Sequence, residues 1–342
     1  MNSACDSTRA AGGGLPEEFL QRARAFQESR ALLTALELDL YTAVGEGARA
    51  GEVAGRLGTD PRATETLMHA LAALGMLAKQ GEVFRNGPLA ERFFTAGSPE
   101  DARAVMMHTV HMWERWSTLT ECVRAGTSVT YQEHEDREPR WTEAFIAAMH
   151  ANASERAPAV VKAVGVEGVR RLLDVGGGSG AYAIAFAQAH PELEAEVLDL
   201  PRVVRIAEGH IARAGLSDRV KTRRGDLRQV AFGEGYDLVL LSAICHMLSP
   251  EENLDLLKRC RVALEAGGRV VIQDFILEPD KTAPRAGALF SLNMLVGTQR
   301  GASYSEPEYA AWLAEAGFAQ VRHIRLAGPS GLMVGRRSGA GV

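Results

Sequence analysis

The chain has 342 residues, 46% hydrophobic and 24% charged, with a net charge of −5 and a pI near 6.0. That balance supplies a large core, suggests two domains, and argues against a nucleic-acid or anionic-membrane partner. No apolar run approaches the ~18 residues of a membrane span, and Cys5, Cys122, Cys245 and Cys260 are scattered with no C-x-x-C, which suits free thiols in a reducing compartment better than a disulfide framework or a zinc site.

Residues 1–14, MNSACDSTRAAGGG, lack the apolar stretch of a signal peptide and read as a flexible tail. A cytoplasmic protein is expected. From 15 to 164 the chain shows helical periodicity almost throughout, with apolar residues at three- and four-residue spacing in EEFLQRARAFQESRALLTALELDLYTAV. A helix, a turn, a second helix and a short two-stranded wing follow. Gly58, Asp60 and Pro61 mark the break, with Asp60 as N-cap and Pro61 at the first helical position. This is the outline of a winged helix, and it raises the possibility of a DNA-binding regulator. The second helix, read over 61–81, has only Arg62 at its start and Lys79 at its end, with Leu, Met and Ala between. Such a face meets phosphates poorly and suits packing against another subunit.

From 165 to 337 strands alternate with helices, ahead of a short tail at 338–342. RRLLDV, EAEVLDL, RVKTRRGD, YDLVLLSA and GRVVIQDFIL read as five strands. AYAIAFAQAH, PRVVRIAEGHIARAG and PEENLDLLKRCRVALEAG read as helices, the last ended by glycine. SEPEYAAWLAEAGF and the runs AQVRHIRLA and GLMVGRR close the domain. The expected class is α/β, a Rossmann-like doubly wound, mostly parallel sheet behind an all-α winged-helix domain. Ligands of such sheets lie beyond the carboxyl ends of the strands.

LLDVGGGSGA places Gly176, Gly178 and Gly180 between the first strand of the sheet and its helix, where backbone can turn sharply and a ligand can lie against the main chain. The string also satisfies G-x-G-x-x-A, which a dinucleotide-binding fold could use. Three carboxylates argue otherwise. Asp174 stands two residues before the first glycine, where it would repel a pyrophosphate and attract an ammonium. Asp199 follows the second strand, where it can accept both hydroxyls of a ribose. Asp226, in RRGDL after the third strand, can meet the exocyclic amine of an adenine. Either of the last two alone could be a simple helix or turn cap. In order, they describe S-adenosylmethionine (SAM), with Leu200, Gly225 and Leu227 beside them in the same site.

Over nearly its whole length the chain resembles the SAM-dependent O-methyltransferases typified by plant caffeic acid and animal acetylserotonin O-methyltransferases. That family's I-C-H-D-W-S-D-E is similar to ICHMLSPEE here and puts its catalytic histidine on His246. Its first supporting glutamate, in V-A-E-C-I-L, falls on Asp274 of VIQDFIL, and its second, in G-G-K-E-R-T, falls near Ser303. Its adenosyl-contacting lysine falls on Ser242, and the Asp and Trp after the histidine are Met247 and Leu248. The resemblance implies a homodimer formed through the amino-terminal domain, in which partners help close each other's substrate pocket. It also implies that Phe145 and Met149 of AFIAAMHANAS, similar to F-N-x-x-M, sandwich the acceptor. Trp116, His111 and Met112 from one segment, and Phe290, Asn293 and Met294 from another, are further candidates, although core packing would place the same residue types there.

The chemistry expected is an in-line displacement for which the protein supplies alignment. His246 would take the proton of a phenol or enol, and Asp274 would fix its tautomer. C-methylation of an enolate-like carbon uses the same scaffold and remains the alternative. His108 and His111 could share a helix face, but the sequence places no third ligand beside them, so no metal site is expected.

Overall fold

A computed structural model describes residues 15–131 and 139–339. The tail expected over 1–14 and the last residues, 340–342, lie outside the described residues. The chain divides into two compact units between Arg103 and Ala104.

In the first unit α1 (Glu17–Arg24), α2 (Phe26–Glu37) and α3 (Leu40–Val44) precede β1 (Ala48–Arg49) and α4 (Ala50–Leu57). Then come α5 (Pro61–Ala73), β2 (Leu77–Gln80), β3 (Val83–Asn86) and α6 (Pro88–Phe93). The strands form a small antiparallel sheet in the order β1-β3-β2, the wing of a winged helix. Asp60 caps α5 by accepting the Ala63 N–H at 2.8 Å, with Pro61 in the first turn. The helix is shorter than its sequence suggests. Gly75, at φ +74°, turns the chain out of it, and Lys79 lies on β2 rather than at a helix end.

The second unit begins with α7 (Arg103–Ser117), α8 (Leu119–Ala125) and α9 (Pro139–Val164). It continues through β4 (Arg171–Val175), α10 (Ala181–Ala189), β5 (Glu194–Asp199), α11 (Pro201–Arg213), β6 (Val220–Arg224) and β7 (Tyr236–Ser242). It ends with α12 (Pro250–Ala263), β8 (Leu264–Asp274), α13 (Arg285–Gly297), α14 (Glu306–Glu315), β9 (Phe318–Arg325) and β10 (Gly331–Arg337). The onset of strand–helix alternation near 165 is therefore not where contacts divide. The carboxyl half of α9 buries Ala157, Val160, Val161 and Val164 in the same cluster as Leu172 and Phe186, so it belongs to the sheet. A second difference lies at α12, which ends at Ala263. Leu264 is already extended, and the residues up to Gly267 open β8 instead of finishing a helix.

The seven strands run in the order β6-β5-β4-β7-β8-β10-β9. The first five are parallel, and β10 is antiparallel to both its neighbours. Because side chains alternate along a strand, the sheet buries two opposite faces. Leu173, Val175, Val239, Leu241, Val270 and Ile272 face a cluster that includes Leu256, Leu257, Tyr309 and Leu313 of α12 and α14. Leu172, Leu238, Leu240 and Val271 face the cluster formed with α9, α10 and α11. Chain order reverses between β4 and β7, so the crevice beyond their carboxyl ends is the switch point where ligands of such sheets lie. Among the described residues no helix is long and apolar enough to cross a membrane.

Candidate active site

β4 ends in Asp174 and Val175, and the chain then turns through Gly176, Gly178 and Gly180 at φ +67°, +58° and +76°. A side chain at Gly176 would place its Cβ 2.3 Å from Ile244, and one at Gly177 would press on the Asp174 carboxyl group at 2.6 Å. At Gly178 the space a Cβ would take is open. The loop is thus closed on the protein side and bare where a ligand can lie against it.

Asp174 is fully buried, and neither carboxylate oxygen has a hydrogen-bond partner of good geometry among the described residues. Burial, with the Asp199 charge adding to it, pushes its carboxyl up to about 7. A buried acid left unpaired is costly, and a cationic ligand is what relieves it. Asp199 closes β5 and accepts the Gly178 N–H at 2.8 Å and the Leu200 N–H at 2.7 Å, which fixes it between the glycine loop and the start of α11. Burial pushes its carboxyl up to about 6. Next along the edge, Gly225 donates its N–H to the Asp199 carbonyl at 2.9 Å, and Val230 packs where its Cβ would be, so this glycine serves packing. Leu227 lies beside Gly176, 3.6 Å from the place of its absent Cβ. The Asp226 carboxylate is forked by the Arg228 guanidinium, at 2.9 Å for the nearer nitrogen, and also accepts the Arg228 N–H.

The strand ends of β7 and β8 carry the second half of the site. Ser242 donates to the buried Gln273 side-chain oxygen at 2.7 Å, and the Tyr182 hydroxyl donates to the same oxygen at 3.3 Å. Ala243 then takes a left-handed φ of +56°, uncommon without glycine, and turns the chain into a single helical turn at Cys245–Met247. His246 sits on that turn, buried. Its Nδ1–H donates to Asp274 Oδ1 at 2.7 Å, and its backbone N–H donates to Oδ2 at 3.1 Å. The same carboxylate accepts the Phe275 N–H at 2.8 Å and the Tyr309 hydroxyl at 3.3 Å. Asn253 of α12 donates to the Cys245 carbonyl at 2.9 Å, and Gly301 lies so close that a Cβ there would meet the His246 carbonyl at 2.3 Å. Among the described residues the imidazole is thus fixed through Nδ1, on a turn whose backbone is itself held, and Nε2 has no hydrogen-bond partner. The Phe290 ring approaches it edge-on at 4.8 Å and stacks on Phe275 at 4.0 Å.

Among the expected acceptor residues, Trp116 of α7 and Asn293 of α13 are brought together, with the indole N–H donating to Asn293 Oδ1 at 3.1 Å. Phe145 stacks on Trp141 one turn earlier in α9, at 5.3 Å, and His108 approaches both edge-on. Met149 is half-buried on the same helix. Met294 is buried in the packing of α13, and the Ser303 hydroxyl donates to the Gly287 carbonyl at 3.0 Å, tying a loop to α13. Sequence reasoning missed Gln273, Tyr182, Tyr309 and Asn253. The amide ahead of Asp274 in the apolar run VVIQD was the one local signal.

Residues 116–319 match the O-methyltransferase domain family, and residues 20–96 match the O-methyltransferase dimerisation domain. The chain is similar to 3-hydroxy-5-methyl-1-naphthoate 3-O-methyltransferase of Streptomyces sahachiroi, at 35% identity over 92% of each chain. It is also similar to L-tyrosine C(3)-methyltransferase of Streptomyces lavendulae, at 30% identity over 86% of this chain and 84% of that one. The solved structure of PigF with S-adenosylhomocysteine (SAH) superposes with a TM-score of 0.85 at 28% identity, over 95% of this chain and all of that one. Two matched domains, covering both compact units, together with the orphaned acid beneath an open glycine loop, fit one assignment: the chain belongs to the O-methyltransferase family and is a SAM-dependent methyltransferase.

Proposed function

We propose that the enzyme methylates a hydroxyl of a small aromatic or enolic molecule in specialised metabolism, with His246 as general base. The observation that carries this is the Nδ1–Asp274 hydrogen bond of 2.7 Å, which leaves Nε2 as the basic atom of the imidazole. Asp174, Gly176, Gly178, Asp199, Leu200, Leu227 and Ser242 are the residues to hold the cofactor, and Asp226 joins them if Arg228 gives way. Bound SAM supplies an electrophilic methyl group. His246 accepts the acceptor's hydroxyl proton at Nε2 as the oxygen becomes a nucleophile, and Asp274 stabilises the resulting imidazolium. Phe145, Met149, Trp116 and Asn293 orient the acceptor ring, and Phe290 shields the histidine from water. The protein works as a homodimer through its first unit, where Leu15, Phe19 and Phe26 are exposed and suited to cover by a second copy.

C-methylation is the second reading, favoured by the tyrosine C-methylating relative and by a hydroxyl at position 303 where the family carries a carboxylate. The enzyme incubated with methyl-labelled SAM and a panel of phenols, quinones and 2-oxo acids separates the two. NMR of the product is expected to place the label on oxygen. A label on ring carbon overturns the proposal in favour of the second reading.

A further inference from the structure

α13 presents Phe290, Asn293 and Gly297 along one face, since residues three and seven apart share a side of a helix. Each marks a different contact. Phe290 touches the His246 ring, Asn293 accepts from Trp116, and Gly297 lies against Arg115, whose Nη1 is 3.6 Å from the place of the missing Cβ. Seven residues at 1.5 Å each separate the base end of this face from the Arg115 end by about 10 Å.

Arg115 is half-buried, and its guanidinium lies over the Trp141 ring at 5.0 Å. Among the described residues no carboxylate is within ion-pair distance of it, whereas Arg223 and Arg228 each hold one and Arg103 holds two. Arg269, sheltered to a similar degree, is satisfied by the Val164 and Gly165 carbonyls. Burial draws the Arg115 guanidinium below its ordinary range, with no opposing charge to restore it. A sheltered, unpaired cation is costly, and this one lies over an indole ring, which attracts a cation but carries no charge to neutralise it.

We propose that Arg115 binds an anionic group, a carboxylate, carried by the acceptor at the end remote from the reacting hydroxyl. The acceptor class is then a hydroxylated aromatic acid, its ring running along the Phe290–Asn293–Gly297 face between base and guanidinium. This rests on the reading of His246 as the base end of the pocket. A planar fork beside a glycine suits a two-pronged contact with a carboxylate.

The test measures binding rather than turnover, so it does not depend on which atom is methylated. Calorimetry on the full-length protein saturated with SAH compares matched pairs: phenol with hydroxybenzoates, naphthols with hydroxynaphthoates, and anthrols with hydroxyanthracene carboxylates. At least one acid is expected to bind tenfold or more tightly than its neutral partner. Arg115→Gln is expected to erase that preference, and Arg115→Lys to keep part of it, both with unchanged SAH affinity as the check on folding. The proposal is overturned if no pair shows the preference, or if the preference survives Arg115→Gln. An acid that binds through Arg115 and is methylated equally well by His246→Ala would sink the base assignment alone.

Discussion

Asp274→Asn is the sharpest probe of the His246 geometry, because it keeps the shape of the side chain and removes only its charge and half its accepting capacity. The carboxylate accepts four hydrogen bonds, from His246 Nδ1 and N, Phe275 N and the Tyr309 hydroxyl. An amide can turn its oxygen to only part of that set, and its NH2 then faces a donor. The bond that matters to the reaction is the charged one to Nδ1–H, which tightens as the ring becomes imidazolium. Hydrogen bonds to charged groups are worth about 1.5–3 kcal/mol, and each 1.36 kcal/mol is tenfold in rate. A loss of about ten- to a hundredfold in kcat is therefore expected, with the KM for SAM within twofold of wild type. Single-turnover transfer of a labelled methyl group measures it. A kcat within twofold of wild type, or a loss matched by lost SAM affinity, would refute the reasoning.

Two further outcomes follow from the cofactor end. Burial, and the Asp199 charge after it, raises Asp174 from an ordinary 3.8 to about 7, so charging it in the folded chain is disfavoured, and cofactor-free stability should fall as pH rises across that window. A cationic ligand draws the group back to its charged form. SAM should therefore bind more tightly as pH climbs toward about 7, releasing a proton at pH 6 and little at pH 8. Calorimetry in buffers of different ionisation enthalpy reads this, and absence of release at pH 6 counts against Asp174 as the ammonium partner. Gly176→Ala forces a left-handed residue, at about 1–2 kcal/mol, and drives a methyl group into Ile244, two residues before His246. Urea unfolding should show at least that loss, and the KM for SAM should rise about tenfold or more. Stability within 0.5 kcal/mol of wild type contradicts the packing argument.

The sheet was legible because its strands are short apolar runs bounded by glycine and proline, and because Asp174, Asp199 and Asp274 each end such a run. His246 stood out for a related reason, as a polar residue following a fully apolar strand. What stayed hidden depends on partners distant in sequence. Nothing local shows that Ser303 reaches Gly287, or that Tyr309 donates to an acid 35 positions earlier. The division at Arg103 was obscured for the same reason: α7 to α9 share the helical periodicity of the first unit and differ only in what their apolar faces meet. Arg115 carried no motif at all. Its interest comes from the Trp141 ring beneath it and from the lack of a carboxylate nearby among the described residues.

The proposed reaction turns on a proton passing from acceptor to His246, and the rate of His246→Ala against phenols of graded acidity tests that directly. With a weakly acidic phenol near neutral pH, the variant should be slower by about a hundred- to ten-thousandfold, while a phenol already ionised in solution should recover most of the lost rate. A variant as fast as wild type, or one equally slow with every phenol, would contradict it.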